Sequence, residues 1–168
     1  NREIPIKAHA GGTDILTIIE IAKEFGVNYT LDHASDAKSY VKQLKEYPPI
    51  GVILGPFGGP TRTGIESRDE TIASAFPLVE AGIVTAIMTD NPVLHTTALI
   101  HEVGSAVRMG MEPYEAMKMI TINAAKILSC DDRIGSLAVG KDADLVFFKG
   151  TPALDTNAKV VRTIVLGE

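Results

Sequence analysis

Cysteine is nearly absent: Cys130 stands alone in 168 residues. One thiol excludes an internal disulfide framework and fits a reducing compartment, so a cytoplasmic protein is expected. Cys130 is also a poor nucleophile, because it follows a helical run and precedes Asp131 and Asp132, whose charges oppose a thiolate. No apolar run approaches ~18 residues, which excludes a membrane-spanning helix. No Lys/Arg cluster interrupts a formal net charge of −5, so nucleic acid is not an expected partner. There is no signal-peptide pattern and no initiating Met, and Asn1 reads as a cut point rather than a natural start. What is present suits a folded domain: 45% hydrophobic and 22% charged residues, in a chain long enough for one sizeable core.

The apolar pattern alternates between strand and helix. Ile4 to Ala10 reads as a buried strand, broken by Gly11 and Gly12. Thr13 or Asp14 then caps a helix whose Ile15, Ile18, Ile19 and Ala22 fall at i, i+3, i+4 and i+7, and Gly26 stops it. Val27 to His33 is a second strand. Ser35 or Asp36 caps a helix with Ala37, Tyr40, Val41 and Leu44 on one face, ended by Pro48 and Pro49. Gly51 to Gly55 is a short third strand. The loop from Pro56 to Asp69 is long enough to suggest a functional lid, and it lacks the lysine spacing of a P-loop. A helix over Glu70–Ala81 buries Ile72, Phe76 and Val79, and Gly82 ends it. The fourth strand, Val84 to Thr89, carries Asp90 at its tip. Thr96 to Met109 is helical with Leu99, Val103 and Ala106 inward, and Pro113 suits the first turn of the next helix. The Met residues 109, 111, 117 and 119 read as helix packing.

From Asp131 the character changes. Asp144–Phe148 and Lys159–Leu166 are β-like with no helix after either, so this tail belongs to a different sheet.

Three of the four early strands finish in chemistry-bearing residues: His9, His33 and Asp90. In a parallel barrel such ends share one rim, where catalytic residues collect. Two imidazoles and a carboxylate also suit a divalent transition metal such as zinc. Four βα units occupy the first 110 or so residues, whereas a closed barrel has eight and needs ~250 residues. The chain is therefore either a small open α/β domain or half of a barrel.

Thr121-Ile122-Asn123-Ala124-Ala125-Lys126-Ile127-Leu128, then Arg133-Ile134-Gly135-Ser136-Leu137, then Gly140-Lys141-Asp142-Ala143-Asp144-Leu145-Val146, closely resembles the C-terminal signature of the amidohydrolase superfamily. The nearest branch resembles the imidazolonepropionase-related amidohydrolases. Ala124 stands where that family often has Pro.

The resemblance implies an α/β fold that is the C-terminal half of a TIM (β/α)8 barrel, strands five to eight, over residues 1–130. It implies that residues 131–168 are a β tail from a composite β-sandwich. His9 then matches the metal-ligand histidine ending strand five. His33 matches the strand-six histidine, a second metal ligand in binuclear members and a substrate-polarising group in mononuclear ones. Asp90 matches the strand-eight aspartate, which binds metal and handles the proton of the attacking water. The strand-one His-x-His pair and the strand-four Lys or Glu are expected on residues preceding this chain.

The implied activity is hydrolysis of an amide or cyclic-amide C–N bond with a divalent metal, zinc first, iron or manganese as alternatives. Dipeptides, imidazolone-type rings and other cyclic amides all fit. Arg62 and Arg68 suit a bidentate contact to a substrate carboxylate, and His95 a further substrate contact. His101 reads as a surface or packing residue.

On a flat sheet, strands carrying His9 and Asp90 would start roughly 14 Å apart. The sheet must curve for both to meet one ion, and with at most three ligands the chain alone is expected to hold metal weakly and to be inactive. Open strand edges and an uncovered aliphatic interior predict self-association or pairing with an N-terminal half. The alternative is a non-catalytic half-barrel serving as an assembly scaffold.

Overall fold

The computed structural model describes residues 4–57 and 72–168. Four short strands, β1 (Ile6–Ala10), β2 (Tyr29–His33), β3 (Gly51–Leu54) and β4 (Thr85–Ile87), pair in parallel in the order in which they occur. Each parallel step needs a crossover. The first is α1 (Asp14–Phe25), with Ile15, Ile19 and Ala22 buried and Gly26 ending it in a left-handed cap at φ 59°. Gly supplies that conformation without a Cβ penalty. Thr13 occupies the N-cap position, but its side chain makes no capping bond.

The second crossover opens as a 3-10 turn, Ala37–Tyr40, before α2 (Val41–Glu46). Asp36 does not cap it: its backbone is left-handed at φ 63°, and its carboxylate accepts from the Ser39 hydroxyl instead, at 2.7 Å. The third arrives through a 3-10 turn, Ile72–Ser74, and α3 (Ala75–Glu80). Residues 58–71, which include most of the long loop, lie outside the described residues.

Alternation along the strands separates two faces. Tyr29, Leu31, Val52, Leu54 and Ile87 are buried against Ile15, Ile19, Leu44 and Leu78 of the helices. Each such large aliphatic side chain contributes roughly 1.5–3 kcal/mol on burial. Tyr29 donates to the Tyr47 carbonyl at 2.7 Å, and Tyr47 donates to that of Ala22 at 3.1 Å, which ties α1 to β2. Register puts Lys7 opposite Thr30 and His9 opposite Asp32, so these four share the other face.

After β4, a 3-10 turn (Thr96–Ala98) leads into α4 (Leu99–Arg108), followed by α5 (Pro113–Lys118) and α6 (Ile122–Ile127). Pro113 opens α5 as its sequence position suggests. Met111 and Met119 are buried, Met117 packs against the core, and Met109 is exposed. α6 lies over the amino-terminal ends of β3 and β4. A Cβ on Gly51 would lie 2.4 Å from Ile127 Cγ1 and 2.9 Å from the Val84 carbonyl oxygen, so only glycine admits this contact. Asn123 Nδ2 donates to the Thr85 carbonyl at 2.9 Å.

Beyond α6 a stapled turn leads to an antiparallel hairpin, β5 (Leu145–Lys149) and β6 (Lys159–Ile164). Lys141 Nζ donates to the Asp131 carbonyl, to the Ile134 carbonyl at 3.2 Å and to Ser136 Oγ at 2.7 Å. Arg133 pairs with Asp142 at 2.6 Å. Gly135, at φ +87°, passes so close to α6 that a Cβ would lie 2.7 Å from the Ala125 Cβ. No helix among the described residues is long and apolar enough to cross a membrane.

Glu102 on α4 is only 9% exposed and has no hydrogen bond or ion pair among the described residues. Burial pushes its carboxyl above the ordinary carboxylate range, against a smaller opposing pull from His101. Folding therefore favours the protonated acid, and a penalty develops as pH rises from the ordinary carboxylate value through the folded-state one. Glu102→Gln is expected to be more stable than the parent by on the order of 1 kcal/mol at pH 7. That gain should vanish as pH falls below 4, as read by urea denaturation across pH.

Candidate active site at the carboxyl-terminal rim

His9, His33 and Asp90 lie at the carboxyl ends of β1, β2 and β4, where strands run out into the loops before helices. The His9 and His33 rings stack with centroids 4.0 Å apart and planes inclined by 27°. His33 Nε2 lies 3.8 Å from Asp90 Oδ2. β2 and β4 are separated by β3, and flat-sheet spacing would hold them nearly 10 Å apart. The two side chains therefore reach toward each other across the end of β3.

The backbone leaves the regular strand conformation at these tips. His33 (φ 64°), Ala34 (φ 48°) and Asp90 (φ 50°) are all left-handed without being glycine. Such residues cost of order 1–3 kcal/mol each and cluster at functional sites. Strict alternation would send His33 to the face opposite His9 and Asp32. The left-handed turn takes it out of the pleat, and its ring lands on that of His9. His33 is well covered, with 14% of its side chain exposed against 39% for Asp90.

A zinc–nitrogen bond is ~2 Å long and lies in the imidazole plane. Two rings stacked at 4.0 Å with planes only 27° apart have planes that meet far beyond that reach. His9 and His33 therefore do not share one ion in this arrangement, whereas His33 and Asp90 are spaced so that one ion between them would touch both. No group of three or more His, Cys, Asp or Glu among the described residues is arranged to hold a metal. The donor types suit a divalent cation.

Sequence reasoning passed over one pair. Lys7 Nζ lies 3.2 Å from Asp32 Oδ1, on the face that carries His9. Asp32 neutralises this ammonium from the adjoining strand. The signal was the alternation itself, since Lys7 precedes His9 by one full pleat.

His95 follows Asp90 on the same connection, past a cis Asn91–Pro92 bond. Its Nδ1 lies 3.0 Å from Thr97 Oγ1 and accepts from the Thr97 amide at 3.3 Å, capping the turn into α4. Accepting at Nδ1 leaves the proton on Nε2, at the exposed edge of the ring. Arg62 and Arg68 lie outside the described residues. His101 is exposed on α4.

If capping is the whole role of His95, His95→Ala should lower stability by about 1 kcal/mol, and His95→Asn, which keeps an acceptor, should recover most of it. Thermal unfolding of both variants measures this. Unchanged stability in His95→Ala would show that the cap contributes nothing.

The chain is similar to several known proteins. An imidazolonepropionase from Geobacillus sp. (strain WCH70) is 44% identical over 147 residues, covering 84% of this chain and 32% of that protein. One from Brevibacillus brevis is 40% identical over 147 residues, with the same shares. The chain thus spans about a third of the length of these curated relatives. The crystal structure of an amidohydrolase from Thermotoga maritima MSB8 superposes with a TM-score of 0.91 at 37% identity, covering 99% of this chain and 43% of that one. The amidohydrolase family model matches residues 2–168, and the chain belongs to that family.

Proposed function

We propose that this chain is the carboxyl-terminal part of a metal-dependent amidohydrolase that uses water to break a C–N bond in an amide or cyclic amide. The observation that carries the reading is the convergence of His9, His33 and Asp90 at one rim of a parallel sheet, with His33 Nε2 3.8 Å from Asp90 Oδ2. Because the curated relatives are imidazolonepropionases, an imidazolone-type cyclic amide is the substrate class we favour.

When bound, a zinc-class ion acts as a Lewis acid that makes water nucleophilic near neutral pH. The remaining steps fall to this chain. Asp90, the more exposed of the pair, accepts a proton from the attacking water and returns it to the departing nitrogen. The new C–O bond forms as the C–N bond breaks, so the proton count closes. His33 donates toward the substrate carbonyl and stabilises the charge that develops on its oxygen. His9 would help to hold the ion, with its ring turned off the His33 stack.

The sheet has one neighbour for β1 and one for β4 among the described residues, and Lys7 and His9 are exposed on their face. In this reading the four strands are half of a (β/α)8 barrel, and another polypeptide covers the open edges. That cover is an amino-terminal portion like the one the longer relatives carry, or a second copy.

Two outcomes test the proposal. Combined with an amino-terminal portion of its relatives, the protein should take up stoichiometric zinc and hydrolyse a cyclic amide, and Asp90→Asn should lower the rate by about 10²-fold or more. No metal uptake and no hydrolysis in that mixture would overturn the enzymatic reading. Sedimentation of the chain by itself should show association, and a monodisperse monomer would count against open edges that need a partner.

A further inference from the structure

The hairpin gathers cations that are scattered in the sequence. Lys149 and Lys159 are direct cross-strand partners. Phe147 is opposite Arg162, and the register shift between Phe147 and Phe148 absorbs Val161, so Arg162 falls on the same face as both lysines. All three cations are exposed, and none makes an ion pair or side-chain hydrogen bond among the described residues. Like charges placed directly opposite each other on a sheet repel. In a chain of net charge −5 such a concentration is unexpected.

The lysines also flank an open surface hollow beneath the connection from β5 to β6, which Thr156 and Asn157 line with further hydrogen-bonding groups. Asp155 is the acid in the hollow, and its Oδ2 already accepts from the Thr151 amide at 2.7 Å. Gly150, at φ +90°, makes room for it: a Cβ there would lie 2.9 Å from that oxygen.

We propose that this hollow is a binding site for a phosphate-bearing small molecule, separate from the rim of His9, His33 and Asp90. Lys149 and Lys159 hold the phosphate, Arg162 adds charge from the same face, and Thr156 and Asn157 hydrogen-bond the remaining oxygens. Phosphate suits the charge: it carries up to two negative charges and three oxygens, which two ammonium groups meet as point charges and a guanidinium can add to.

The test is an amide-resolved NMR titration of the intact protein with inorganic phosphate, AMP and adenosine at fixed ionic strength. The expected result is saturable shifts confined to residues 149–159 with both phosphate compounds and none with adenosine. Tighter binding of AMP identifies a phosphate ester as the ligand, and equal binding identifies free phosphate. Lys149→Gln with Lys159→Gln should weaken binding at least tenfold, and the paired Arg variant should restore it. A response no greater than chloride gives, or one that survives the Gln pair, overturns the proposal. So does a parent protein that ignores phosphate while the Gln pair aggregates, because the lysines would then only guard the hairpin edges.

Discussion

Parallel register governs everything at the rim. His9 pairs with Asp32 and Ala10 with His33, while Leu54 meets both His33 and Ile87. All four strands therefore run out at one level. Because side chains alternate, a slip of one residue in β2 would turn Tyr29 and Leu31 away from the helices they pack against. The buried aliphatic face makes that slip expensive. The same packing that stabilises the sheet thus fixes where its polar ends lie.

The left-handed residues are the local departure from that order. A regular strand would send the His33 side chain to the face opposite His9. Positive φ at His33, Ala34 and Asp90 turns the chain out of the pleat, at a cost borne by the packed sheet below. Among the described residues three of the six left-handed non-glycine positions lie at this rim, with Asp36, Ser129 and Leu166 elsewhere.

Much of this could be read from the residues alone. The apolar spacing of Ile15, Ile19 and Ala22 gave α1, and the aliphatic run of Val52 to Leu54 gave β3, because periodicity reports burial directly. Membership of the family was readable for a physical reason as well. The signature around Gly135 and Lys141 is a structural joint: Gly135 is pinned by its approach to Ala125, and Lys141 by three acceptors, so few other residues serve there. The contacts that depend on long-range geometry were hidden. Nothing in the sequence announces that His33 leaves its pleat to stack on His9, or that a register shift after Phe147 puts Lys159 on the face shared by Lys149 and Arg162. The 3-10 entries to α2, α3 and α4 were also invisible, since a tight turn and an α-helical turn share nearly the same apolar spacing.

The seat of α6 has one more consequence. Ile127 fills the space above Gly51, and Asn123 is fastened to the first residue of β4, so the end of the sheet remote from the histidines is stoppered along β3 and β4. Among the described residues, that end of β3 and β4 presents packed side chains, so the two ends of these strands differ in kind: one is packing, the other polar.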